Sequence, residues 1–281
     1  MLYSDFVNLT SSTSADTASA AGTITYNGVG GRVKGFWAVG GDATATAAEG
    51  KKPYFQITGD GMPGVTPNIP LSPWRSAYLA GASDGSVSAG PSFAPLDANA
   101  PASGVITVTE KGAATTAAEL YAFGVIYGSG SLPDWALLNQ NPWILTGVPK
   151  TYITATPTDV HSTTELSIGV LTIPASNPHV VGLTTCMVTN GVRVTAEEFI
   201  GTCRYSATGA MGGQFEPAQK WPSFGSQDAP VGTDIQAESF IPDCWHPLNF
   251  TSAANGTVTS YSTLRTALTN ADSIQVFAAL I

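Results

Sequence analysis

Three histidines, three cysteines and twenty acids are the groups with which this 281-residue chain could do chemistry. His161, His179 and His246 have neither the His-x-His nor the His-Glu-x-x-His spacing that sets two imidazoles on one metal ion. Asp243-Cys244-Trp245-His246 gathers reactive types in one run. Neighbours along an extended strand point to opposite faces, so this run does not converge on a substrate. Glu197, Glu198, Asp228, Asp234 and Glu238 could offer oxygen ligands to Ca²⁺ only if loops brought them together, and a solvated acidic loop asks less of the chain. Gly28-Val29-Gly30-Gly31 and the Gly59–Gly64 run open no amphipathic helix, so they read as turns and not as phosphate cradles. The stretch from Gly124 to Gly130 lacks the Gly-x-Ser-x-Gly of a nucleophile elbow. The expectation is therefore no enzyme, no catalytic, metal or cofactor-binding residue, and no cofactor.

Cys186, Cys203 and Cys244 are odd in number, form no Cys-x-x-Cys pair and make no disulfide framework. Cys186 and Cys203 sit in apolar, strand-like surroundings, which suits small buried hydrophobes, and their spacing leaves a bridge between them open. Trp37, Trp74, Trp135, Trp143, Trp221 and Trp245 are scattered through strand and connector contexts where burial is the default. A sugar-binding sandwich would gather two or three such rings on an exposed shelf.

The elements that must carry these residues are short strands. Val, Ile, Thr, Tyr and Phe recur at period two between Gly, Pro, Asn and Asp. The clearest runs are Thr23–Tyr26, Val33–Val39, Tyr54–Thr58, Val105–Thr109 and Leu120–Tyr127 in the first half. In the second half they are Leu166–Ile173, Val180–Thr189, Val192–Thr195, Phe199–Ser206, Thr257–Tyr261 and Ile274–Ile281. Asn190-Gly191 suits a type I′ hairpin turn, because both residues accept positive φ. Helical pattern is confined to Ser72–Leu79, Pro133–Leu138 and Leu264–Leu268.

The strands come in two sets. Gly22–Phe36 lies over Gly169–Leu183 without a gap, and Gly22/Gly169, Thr25/Thr172, Val33/Val180 and Gly35/Gly182 are identical at a displacement of 147. Gly61-Met62 meets Ala210-Met211 at 149, and Ala117–Ile126 meets Ala271–Leu280 at 154, with Phe123 on Phe277. Three matches in one order, with slowly growing displacement, imply two tandem units of like fold. All-β units of this size with Gly- and Pro-rich connections are sandwiches of the jelly-roll or Greek-key type.

Charge adds a second constraint. Only 11% of residues are charged, against roughly 25% in an average soluble domain, while 43% are apolar. The net charge of −9 reflects just 11 Lys and Arg, with no basic run longer than Lys51-Lys52. Direct binding to nucleic acid or to an anionic membrane surface is not expected from such a chain. A protein that covers much of its surface with copies of itself needs little charge for solubility; so does a secreted protein poor in Lys. The opening residues show no signal-peptide pattern and no run is long and apolar enough to span a bilayer, so synthesis in the cytoplasm is expected.

Two fused β-sandwiches in fewer than 300 residues, poor in charge and without a catalytic pattern, resemble the double jelly-roll major capsid proteins of tailless icosahedral viruses, the lineage from internal-membrane phages to adenovirus. The resemblance is architectural and spans residues 20–281. It implies a structural protein of the virion whose homotrimers place six jelly rolls in a pseudo-hexagonal tile beside neighbouring capsomers. Minor or vertex proteins and an underlying membrane would be further partners. It also implies an N-terminal arm at 1–20, a first jelly roll at 21–130, a connector at 131–150 and a second jelly roll at 151–281. The competing reading is a tandem sandwich that binds carbohydrate or a receptor.

Overall fold

The computed structural model describes residues 1–10, 18–28, 30–41, 54–62, 68–70, 77–78, 92–111, 120–134, 136, 147–155, 163–188, 201–207, 219–220, 236–237, 246–264 and 273–281. These residues form eighteen strands, and the only helical residues among them lie at 134 and 136. The first nine strands are β1 (Leu2–Thr10), β2 (Gly22–Thr25), β3 (Gly31–Gly41), β4 (Tyr54–Gly59), β5 (Asn68–Pro70), β6 (Ala77–Tyr78), β7 (Ser92–Ala100), β8 (Val105–Lys111) and β9 (Leu120–Gly128). The second nine are β10 (Thr151–Thr154), β11 (Leu166–Thr172), β12 (His179–Val188), β13 (Gly201–Ala207), β14 (Gln219–Lys220), β15 (Gln236–Ala237), β16 (His246–Thr251), β17 (Thr257–Leu264) and β18 (Ser273–Leu280).

Their wiring repeats strand for strand. The first unit pairs β1-β9-β3-β7 and β2-β8-β4-β5; the second pairs β10-β18-β12-β16 and β11-β17-β13-β14. Every strand of the second unit is the ninth after its counterpart. Eight strands in two four-stranded sheets, with the first strand beside the last and the second beside the last but one, make a jelly roll. The fold is all-β, two tandem jelly rolls. The leftover strands β6 and β15 are also counterparts, and they pair with each other across the two units.

The repeat extends to register. Gly22 faces Val108 as Gly169 faces Ser260, and Ile24 faces Ile106 as Leu171 faces Val258. In both units the third strand slips at the same place, between Val33 and Gly35 and between Val180 and Gly182. Opposite each slip stands a proline, Pro95 against Gly35 and Pro247 against Gly182. A bulge tolerates the missing N–H of proline, and glycine often marks one. A Cβ on Gly35 would lie 2.5 Å from the Ala94 carbonyl oxygen and run into the Phe93 ring.

The ladders correct the third sequence match. Val33 faces Tyr127 where Val180 faces Leu280, and Phe36 faces Val125 where Leu183 faces Ala278, which puts the last strands 153 residues apart, not 154. Phe277 is the counterpart of Gly124, not of Phe123. One residue matters here, because it exchanges the two faces of a strand.

The expected arm at 1–20 is also corrected. Residues Leu2–Thr10 form β1, paired along their whole length with β9, so they belong to the first sandwich. Tyr3, Asp5, Val7 and Leu9 point toward the core side, and Leu9 is buried. The inward Asp5 interrupts the apolar alternation that would mark a strand, and it is satisfied there by the Tyr127 hydroxyl, which donates to it at 2.5 Å. Of the expected helix Ser72–Leu79 only Ala77–Tyr78 is described, as strand β6, and of Leu264–Leu268 only Leu264, which closes β17; the other residues of both lie outside the described residues. Pro133–Leu138 keeps one turn, with the Ala136 amide donating to the Pro133 carbonyl at 3.0 Å. The expected strand Val192–Thr195 and the Asn190-Gly191 turn lie outside the described residues.

The two cores are built differently. The first is aromatic, with Phe36, Phe55 and Phe123 fully buried and ring centroids 4.9 Å (Phe55–Phe123) and 5.7 Å (Phe36–Phe123) apart. Among the described residues the second is mainly aliphatic, from Ile153, Ile168, Leu171, Val180, Leu183, Val258, Val276 and Leu280, with Tyr205 beside them. Each fully buried side chain of this kind contributes roughly 1.5–3 kcal/mol of transfer free energy.

Candidate assembly interface

Strand β18 is buried on both faces. Val276, Ala278 and Leu280 point into the core of the second unit, while Phe277 and Ala279 point out of its sandwich and join the core cluster of the first unit, together with Tyr152 and Val181. Strands β10 and β18 thus lie against β5 and β7. The outer face of one sheet packs on the far edge of the neighbouring roll.

Several polar groups at this seam are matched. The fully buried Tyr152 donates its hydroxyl to the Pro95 carbonyl at 2.5 Å, the same proline that marks the bulge. Its burial raises the phenol pKa well above the ordinary value. The Asp97 amide donates to the Pro149 carbonyl at 2.7 Å, and the Lys150 amide to the Leu280 carbonyl at 2.8 Å. Beside the seam, Arg32 pairs with Asp97 at 2.6 Å and donates to Asn99 at 2.7 Å. The seam is apolar at Phe277, Ala279 and Val181, and Thr154 Oγ1 is buried beside them without a hydrogen-bond partner.

The corresponding outer face of the first unit has a different covering. Ile126 and Phe93 are buried beneath Leu132 and Ala136, next to Leu2 and Trp37. Further along, a row runs across three strands as Phe6, Gly124 and Trp37. The counterpart row in the second unit is Thr154, Phe277 and Thr184. The large ring thus moves from the central strand in one unit to the flanking strands in the other. A Cβ on Gly124 would run into the Trp37 indole, so the glycine makes room for it. Trp37 donates its indole N–H to Ser4 Oγ at 3.0 Å and lies 5.9 Å from the Phe6 ring, centroid to centroid. Phe6 is nevertheless 58% exposed, and Leu120, on the same face of β9 beyond Gly124 and Ala122, is 55% exposed.

At the end of the first sandwich, Tyr127 accepts from the Asn27 amide at 2.9 Å while donating to Asp5, and meets Tyr26 edge-on at 5.0 Å. Burial first, and then the hydrogen bond to Asp5, push the Tyr127 phenol up to about 12. Tyr26 is raised as well, chiefly by burial. In the second unit, Arg204 clasps Glu165 through Nε at 2.8 Å and a second nitrogen at 2.5 Å, with its guanidinium 4.0 Å from the Tyr261 ring centroid. The hydrogen bonds from Arg204 hold the Glu165 carboxyl below its usual value.

The residues considered for chemistry that are described lie apart from one another. His179 opens β12 and shares a hydrogen bond of 3.0 Å with the Thr251 hydroxyl; His246 opens β16. Cys186 and Cys203 lie on β12 and β13, in different sheets of the second unit. His161, Glu197, Glu198, Asp228, Asp234, Glu238, Asp243, Cys244 and Trp245 lie outside the described residues. Gly28, Gly30, Gly31, Gly59 and Gly61 all have positive φ, as turn residues do. Among the described residues no three His, Cys, Asp or Glu side chains come together as a metal site, and no helix is long and apolar enough to cross a membrane. Sequence reasoning missed the residues that build the seam. Tyr152 and Val181 gave no signal apart from ordinary strand character, and the exposed Phe6 sat in a segment read as an arm.

No family model matches the chain, and no curated protein matches it in sequence. A solved structure described as "Crystal Structure of the STIV MCP" aligns over 100% of this chain and 96% of that one, at 10% identity and a TM-score of 0.46.

Proposed function

We propose that this chain is a structural protein of the virion, a major capsid protein whose homotrimers tile an icosahedral shell. The observation that carries the reading is the duplicated jelly roll with its head-to-tail seam. An outer sheet face of one roll sits on the far edge of the other, a heterologous contact, and such a contact repeated between copies closes into a ring or runs on as a filament. Two equivalent rolls per chain and three chains per ring would give six similar wedges. The low charge supports the same reading, because surface that is covered on assembly needs no Lys or Glu to stay dissolved. Partners are then first of all copies of the same chain, next neighbouring capsomers, and beyond them minor shell proteins and any membrane beneath. The role is structural, without a catalytic step.

Sedimentation equilibrium of the purified chain tests this. The expected result is a species of three times 28.9 kDa that does not shift on tenfold dilution. A monomer that persists at high concentration would overturn the reading.

A further inference from the structure

The outer face of the first unit's β1-β9-β3-β7 sheet is half finished. Its counterpart, the outer face of β10-β18-β12-β16, is covered by the first unit and carries a buried ring, Phe277. The first unit's face carries more apolar surface at the equivalent rows and leaves it open. Phe6 stands where the second unit has Thr154, and Leu120 where it has Ser273. Ala122 and the half-buried Trp37 and Val39 lie between them on the same side. Phe6 and Leu120 are thus large apolar side chains left exposed on one sheet face, which an isolated molecule has little use for.

The covering element has a counterpart too. The first unit covers the second with the edge formed by β5 and β7, and the second unit closes its own two sheets with β14 and β16 in the same positions. We infer that the Phe6–Trp37–Leu120 face is the copy-to-copy contact, and that its occupant is the β14–β16 edge of a second copy of this chain. The contact inside the chain is thereby repeated between chains, with the Phe6 and Trp37 rings on the two flanking strands doing the work that Phe277 does on the central one. The inference rests on the proposed self-assembly and adds the surface that performs it.

The test uses the full chain, Phe6→Asp and Leu120→Asp singly and together, and native mass. Both positions are exposed in the single chain, so the variants keep the fold, which circular dichroism and a melting curve verify. The expected result is a trimeric parent and a double variant that runs at 28.9 kDa with an unchanged melting curve of the monomer. A second readout covers a variant that misfolds. In Phe6→Cys, the thiol at position 6, followed by mass spectrometry, is labelled about tenfold or more slowly in the oligomer than after dissociation, as a dry interface core requires. A trimeric parent whose double variant stays trimeric, or whose position 6 labels freely, overturns this surface and leaves the trimer standing. A monomeric parent overturns both.

Discussion

The two jelly rolls share register to the residue, yet their outer sheets solve opposite problems. In the second unit, the row Thr154–Phe277–Thr184 sets one ring on the central strand, and that ring is buried against the first unit. In the first unit, the row Phe6–Gly124–Trp37 empties the centre and places a ring on either side, and one of these rings is open to solvent. The difference teaches that duplication preserved the frame and left the outward positions free to specialise. Bulge, glycine and proline are retained because they define where the third strand bends. The outward side chains vary, and only the second unit's row is covered within the chain.

The largest way to break the comparison is at its buried side. Phe277→Ala removes a fully buried ring shared by both units, and should cost about 3–5 kcal/mol in urea unfolding. Trp37→Ala, on the open face, should cost clearly less in the single chain. Equal losses would mean that the seam is no better packed than the exposed row.

Tyr152→Phe tests the polar side of the seam. It leaves the Pro95 carbonyl without its phenol donor and should cost about 1–3 kcal/mol, measured the same way. The change would separate the units without disturbing either core, so a single cooperative transition should widen or split.

Exchanging the rows sharpens the comparison. Gly124→Val pushes into the Trp37 indole and should destabilise by about 1–3 kcal/mol. The double change Gly124→Phe with Trp37→Thr gives the first unit the central ring of the second, and should recover part of that loss. If the double variant is worse than the single one by the full sum, the two rows are not interchangeable.

The smallest effect is one of pH. Tyr127 stands where the second unit has Leu280, and its partner Asp5 where the second unit has Ile153. A phenol raised in the folded state to about 12 stays neutral there while the unfolded chain ionises near 10. Its contribution is therefore complete below pH 10 and is lost as the pH rises toward about 12. Tyr152, on the second unit's side of the seam, is raised by burial as well, so the readout is local: hydrogen exchange around Tyr127 and Asp5 should speed up as the pH rises, and Tyr127→Phe should flatten that dependence.

Much of the architecture was legible because glycine leaves an identifiable trace. Gly22 and Gly169 sit on edge strands where a Cβ would meet side chains, Val7 and Leu9 in one unit and Ala155 in the other, and Gly35 and Gly182 sit at the bulge, so the repeat survived where other side chains had diverged. The strands that escaped notice break the ordinary signals for cause. Proline marks β7 and β16 at positions 95 and 247, which reads as a break unless the bulge opposite is known. In β1 the inward Asp5 spoils the alternation, and only the phenol across the sheet explains it. The match of Phe123 to Phe277 followed residue type, while hydrogen bonding fixed the register one residue away. The seam had no local pattern at all, since whether Tyr152 and Phe277 face a core or a neighbour depends on how two complete domains dock.

The central claim is that six equivalent rolls from three chains form one closed ring. Electron-microscopy class averages of the purified oligomer, viewed along its axis, test it most directly. The account predicts six lobes of similar size in a closed hexagonal outline, alternating slightly in density between first and second units. Two-lobed particles, or an open chain of lobes without closure, would contradict it.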